Sequence, residues 1–324
     1  MSDAKTIVAT APVADRVRAY FAPVNRVTGN AGVFDPARDG RFALEAPPPG
    51  WMDAGVVRDF VRRSETKVSP LMSGAPAVAR TQVRSAVGAE IAWTFDGWSR
   101  LAMALSGGGA LMNLLEVAAS ADARDSGGHA ADAVPVLSGS TARVLQVSAD
   151  AGFAVGDIVV VDVDYGGETG FAGSGISGAY VANADDVTGD PHTVRRVSFN
   201  VGRVVDVNGG AVTLSDDLPA GTPTEAMKVA KVHGFVDREG GRFFQEWSAL
   251  FVVDGVQGDR VLFHYPRLQA AAGAEETVGT LAGQLSTWPL RARMRALPVV
   301  DANDGETVFC FRSYLPAAMR EVLR

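Results

Sequence analysis

Between residues 81 and 95 the chain reads TQVRSAVGAEIAWTF, and apolar and polar positions alternate with period two. Val83, Ser85, Val87, Ala89, Ile91, Trp93 and Phe95 fall on one face, and Gln82, Arg84, Ala86, Gly88, Glu90, Ala92 and Thr94 on the other. This predicts a strand with one core face and one small, mostly polar face. DGWSRLAMALSGGG follows, with turn residues, a serine suited to capping, and Leu101, Ala104 and Leu105 at helical spacing before a glycine stop. A short helix of about two turns is expected there.

Elsewhere the pattern is also β. From residue 133 to 224, short Val-rich runs (ARVLQVS, GDIVVVDVDY, VGRVVDV) alternate with Gly/Asp turns, and Asn208-Gly209 is suited to the positive φ of a tight hairpin. That texture predicts a compact small β-barrel. Longer runs lie on either side of it, and DGE around Asp304-Gly305 marks a closing hairpin. PAAMREVLR at the end is suited to a last helical turn begun by Pro316. Residues 1–50 are weakly periodic and end in EAPPPGW, which reads as an arm or linker, although Phe21, Phe34 and Phe42 imply that it packs on something. The expected organisation is therefore an arm at 1–50, a β domain made of 51–132 and 225–324, and a small β domain at 133–224 inserted into a loop of the first.

Composition narrows the chemistry. A formal charge of -7 argues against a chain that grips nucleic acid non-specifically. The single cysteine, Cys310, excludes an intrachain disulfide and a Cys-based zinc cluster, and its strand-like setting predicts a buried inert thiol. No apolar signal segment opens the sequence, and the Leu101–Leu115 stretch is too short to span a bilayer, so a soluble chain made in the cytoplasm is expected. The four histidines share no metal spacing; DVDYGGE resembles a calcium loop only faintly. GSGISG (residues 173–178) follows a strand with the spacing of a dinucleotide fingerprint. The AYVANADDVTGDPH after it starts no amphipathic helix and brings two aspartates toward any phosphate, so a flexible loop tip is the simpler reading. No catalytic set assembles, and no cofactor is expected. Arg291, Arg293 and Arg295 alternate with Leu290, Ala292, Met294 and Ala296, so a strand would align three guanidiniums on one face. They would serve as a solvated face, as partners for carboxylates across a subunit boundary, or, third, as a DNA contact.

The segment PGWMDAGVVRDFVRRSETKVSPLMSGAPAVARTQVRSAVGAEIAWTFDGWSRLAMALSGG resembles the front half of tail tube proteins of long-tailed bacteriophages. The matching positions are Trp51, Gly55, Val57, Thr66, Lys67, Gly74, Pro76, Trp98, Leu105 and Gly107. The part from SALFVVDGVQGDRVLFHYPRLQ to CFRSYLP is similar to the family's closing strands. The resemblance implies a tail-tube β-sandwich or barrel with one short flanking helix, carrying the inserted domain on its outside. It implies hexameric rings stacked into a hollow tube around a tape-measure protein, with genomic DNA passing through without tight binding. Tail terminator and tail-tip proteins would be further partners in a virion tail, read here as non-contractile. On that basis the loop 62–76, with Arg62, Arg63, Glu65, Lys67 and Met72, would meet the next ring. Gln82, Arg84, Glu90 and Thr94 would face the lumen, and Arg291, Arg293 and Arg295 would serve a subunit interface. Other readings are a terminator or baseplate ring on the same fold, a carbohydrate- or receptor-binding β protein, and an oxidoreductase built on the glycine fingerprint.

Overall fold

The computed structural model describes residues 13–24, 34–48, 51–108, 112–116, 132–163, 200–218, 221–236, 246–271 and 288–317. These residues are mainly β, in several antiparallel sheets. In chain order they form β1 (Ala14–Pro23), α1 (Pro36–Asp39), β2 (Met52–Ser73), β3 (Val78–Phe95), α2 (Arg100–Gly107), β4 (Met112–Leu115), β5 (Ala133–Pro135), β6 (Val144–Gln146) and β7 (Ile158–Val163). After these come β8 (Val201–Asn208), β9 (Ala211–Leu214), β10 (Met227–Val236), β11 (Glu246–Gly255), β12 (Arg260–Ala270), β13 (Arg291–Ala296), β14 (Val299–Val300), β15 (Thr307–Val308) and β16 (Phe311–Leu315). The chain divides into two compact units, one of Met1–Ala22, Val33–Ala102 and Glu246–Arg324, the other of Pro23–Gly32 and Met103–Gln245.

The first unit holds a sheet that closes on itself. Its order is β11-β1-β2-β3-β13-β12, β12 also pairs β11, and β16 is added on β12. Closure is favoured because it removes the unpaired edges that an open sheet leaves. Period-two alternation sends Phe21, Ile91, Trp93, Trp247, Phe251 and Met294 to the same buried core, where Phe21 packs at ring-centroid distances of 5.6 Å from Trp93, 6.3 Å from Trp247 and 5.9 Å from Phe251. Neighbouring residues of the same strands point the other way. Tyr20, Leu250, Val252 and Leu262 pack there under Phe34, Leu44 and Trp51, and the Tyr20 hydroxyl donates to the Leu44 carbonyl at 2.8 Å. Burial raises the Tyr20 phenol well above its ordinary pKa.

Residues 14–23 are thus a barrel strand with Ala19, Tyr20, Phe21 and Ala22 fully buried, and the expected arm at 1–50 is corrected over that stretch. Asp15, Arg16 and Arg18 mask the strand in the sequence. In the structure Arg16 pairs with Asp254 at 3.4 Å and Arg18 with Glu45 at 2.8 Å.

The second unit has its own sheet, ordered β4-β10-β7-β8-β9-β6 with β5 on β10, over a core that includes Leu145, Val159, Val161, Val212, Leu214 and Val229. β10, expected in the part that resumes at residue 225, pairs instead with β4, β5 and β7. The β8–β9 hairpin forms as expected, but its two-residue turn is Gly209-Gly210 at φ 57° and 94°, with Asn208 opposite Ala211. Two successive positive-φ residues suit a primed turn, and two glycines adopt it without Cβ strain. α2 matches the expected short helix, and the Ser99 hydroxyl caps it by accepting from the Ala102 N–H at 2.9 Å. GSGISG, Asp164, Glu168, Asp190, His192 and the closing helical turn beyond Ala317 lie outside the described residues.

Candidate assembly surface: a long hairpin and an arginine face

β2 and β3 are far longer than the other strands, and beyond the barrel they continue as a two-stranded ribbon. β1 covers the outer edge of β2 only as far as Val57, and β13 covers that of β3 only from Glu90 to Thr94. Past those rows, among the described residues, β2 and β3 pair with each other alone, from Ser64↔Ala89 to Ser73↔Val78, about 35 Å of strand. The tip turns at Gly74, whose φ of 98° favours glycine. Residues 62–73 are therefore strand, and the expected loop at 62–76 shrinks to the turn at 74–77. Pro70 obscured this in the sequence, yet a proline sits readily in a strand whose outer edge has no neighbour to receive an N–H. The ribbon exposes Val61, Val68, Leu71, Met72, Val83 and Val87 to solvent, each at 45% or more.

Register decides which face each candidate occupies. Opposite Lys67 stands Ala86, but opposite Val68 stands Arg84, so β3 carries an extra residue at position 85. Such a bulge reverses the alternation on the strand that holds it. Gln82 and Arg84 therefore lie on the face opposite to that of Glu90, and the expected lumen-facing set Gln82, Arg84, Glu90, Thr94 does not share one surface. Thr94, between Arg58 and Arg291 in the sheet, is moreover buried. Of the ribbon candidates, Arg63, Glu65 and Lys67 share the Glu90 face, while Arg62 and Met72 take the other. Arg62 lies beside Tyr265 and Cys310. Burial raises both of those pKa values, and the guanidinium partly opposes the rise. The raised pKa agrees with an inert thiol, but Cys310 is only half-buried and lies just before β16, so the expected burial within a strand is corrected.

β13 alternates as expected, with Arg291, Arg293 and Arg295 exposed and Ala292, Met294 and Ala296 buried. Its position next to β3 is what the sequence leaves open. Arg291 stands opposite Thr94, Arg293 opposite Ala92 and Arg295 opposite Glu90, while β2 places Arg58, Val61 and Arg63 at the far ends of the same three rows. The arginines assigned to a subunit interface and the Glu90 assigned to a lumen thus occupy one face. Arg293 donates to Glu90 at 2.8 Å, and Arg58 pairs with Asp96 at 2.9 Å. The hydrogen bond from Arg293, with Arg295 and Arg63 nearby, holds the Glu90 carboxyl below the usual carboxylate range. Gly88 leaves room for Arg295, whose Nη2 lies 3.8 Å from where a Cβ would stand.

At the end of this face near β13, Trp98 and Trp288 meet edge to face at 5.0 Å, and the Trp98 indole N–H donates to the Trp288 carbonyl at 2.8 Å. Among the described residues no group of three or more His, Cys, Asp or Glu is placed to hold a metal ion. No helix among them is long and apolar enough to cross a membrane. The chain matches no protein-family model, and no curated protein matches it either.

Proposed function

We propose that this chain is a self-assembling structural subunit, the tail tube protein of a long-tailed bacteriophage. One observation carries the reading: a ribbon of about 35 Å stands on a closed barrel, and among the described residues no strand pairs with either of its outer edges. A lone two-stranded ribbon is marginal in water, and open edges are templates for another chain. Strand addition between copies would pair β3 of one with β2 of the next and cover the exposed valines. In a ring of six that pairing would yield a continuous inner wall, and the ribbon tip at 74–77 would reach the following ring. The tape-measure protein and passing DNA would lie inside, terminator and tip proteins at the ends, and the unit spanning residues 103–245 would be an inserted domain on the outside. The product is a virion tail, and no catalytic step belongs to this reading.

Negative-stain microscopy of the purified full chain tests it directly, with long hollow tubes as the expected result. Isolated single rings would favour a terminator or baseplate part. A chain that stays monomeric up to high concentration would overturn the proposal. So would a variant in which a short turn replaces residues 64–87 and which still forms tubes.

A further inference from the structure

We propose that the apolar tip of the ribbon docks on the Trp98–Trp288 pair of a second copy of this chain. The inference rests on the tube reading and names the site that would receive the tip in the following ring. Register leaves one side of the outer ribbon without charge in its paired rows. On the face that carries Glu90, the last rows join Ser69 to Val83, Leu71 to Thr81 and Ser73 to Val78. Leu71 therefore stands diagonally between Val83 and Val78, close enough for the three to form one apolar cluster. All three are exposed, and no paired position beyond Lys67 on this face is ionisable.

The tryptophans hold the other end of the same sheet. β3 ends at Phe95, shortly before Trp98, and β13 begins at Arg291, shortly after Trp288 and opposite Thr94. Roughly 50 Å of strand separates Val78 from Phe95, so tip and pair cannot meet within one chain. A contact between opposite ends of identical subunits is head-to-tail and repeats without closing, as a stack of rings requires. Trp98 and Trp288 are 51% and 42% exposed, whereas Trp51, Trp93 and Trp247 are buried. Large aromatic side chains left half-exposed are suited to anchor a partner chain. Their edge-to-face packing, and the bond from the Trp98 indole to the Trp288 carbonyl, fix the pair in advance and lower the cost of ordering it. The exposed parts of the two tryptophans and three aliphatic side chains come to on the order of 500 Å², below the roughly 1,000 Å² of a stable interface. One such contact does not hold two chains together, but copies of it acting at once around a ring junction do.

Two measurements on the purified full chain, each with microscopy of the same samples, provide the test. Acrylamide quenches chiefly the exposed tryptophans, so its effect should fall in assembled material relative to the same chain diluted to subunits. For direct proximity, Leu71→Cys and Gly97→Cys are combined in a Cys310→Ser background, since a Cβ at Gly97 meets nothing within 4 Å. Oxidation should yield a covalent ladder beyond dimers, whereas either cysteine alone stops at dimers because one thiol per chain joins only two chains. W98A/W288A and Leu71→Asp lie at opposite ends of the sheet, yet both should raise the concentration at which tubes appear by roughly tenfold or more and leave single rings below it. Circular-dichroism melts would confirm that the variants fold. Three results overturn this inference and leave the tube reading standing: tubes with unchanged quenching, tubes of the cysteine pair without a ladder, and W98A/W288A tubes at the wild-type concentration. A ladder without tubes or rings supports the head-to-tail contact and overturns the tube reading. A chain that stays monomeric overturns both.

Discussion

Replacing Phe21 by alanine tests whether the N-terminal strand is part of the barrel. Phe21 is fully buried, and its ring meets Trp93, Trp247 and Phe251. Truncation to alanine removes roughly 120 Å² of buried apolar surface, about 3 kcal/mol of transfer free energy. Lost aromatic contacts and an unfilled cavity bring the expected cost to about 4 kcal/mol, within the range of about 3–5 measured for such changes. All five tryptophans, Trp51, Trp93, Trp98, Trp247 and Trp288, belong to the first unit, so emission excited at 295 nm reports that unit's unfolding without the second. With a urea slope of about 2–3 kcal/mol per M, the midpoint should fall by roughly 1.5–2 M. A shift below about 0.5 M, with the tryptophan transition otherwise unchanged, would mean that β1 is an appended arm and that the closed strand order is wrong.

Two further outcomes follow from single positions. Gly210→Ala should destabilise the second unit by roughly 2–4 kcal/mol, because φ is 94° and a Cβ would stand 2.6 Å from the Val147 carbonyl oxygen. Gly209→Ala, at φ 57° with open space around it, should cost only about 1 kcal/mol. Hydrogen exchange of β8 and β9 measures both, and equal costs would refute the clash. For Glu90, a folded-state pKa below the unfolded one stabilises above about pH 4.3 and is lost as pH falls through the folded value. Both partners are partly exposed, so the contribution should be about 0.2–1 kcal/mol. The stability gap between wild type and E90Q should therefore shrink from pH 7 to pH 3, and a pH-independent gap would show that the Arg293 bond contributes nothing.

The parts of this fold that periodicity revealed are those where burial falls on alternate residues of one uninterrupted strand. β13 is legible because each buried Ala or Met is preceded by an exposed arginine, and β3 is legible from Ala89 to Trp93 because burial alternates there too. β1 was hidden by its charges, since the ion partners of Arg16 and Arg18 at Asp254 and Glu45 are remote in sequence. The outer half of the ribbon was hidden because it buries neither face, so no alternation was required of it. The bulge at position 85 leaves no local signature either; it shows only when β2 is laid beside β3.

The arginine face depends on a pairing still more distant, β3 with β13, some 200 residues apart in the chain. A strand pattern states which residues share a side but not which strand lies next to it. Glu90 could therefore be read as one of a small polar set facing a lumen, and Arg293 as a cation seeking a partner subunit, although the two bond within one chain at 2.8 Å. Whatever this face meets, its recognition is decided by the sheet register and not by composition.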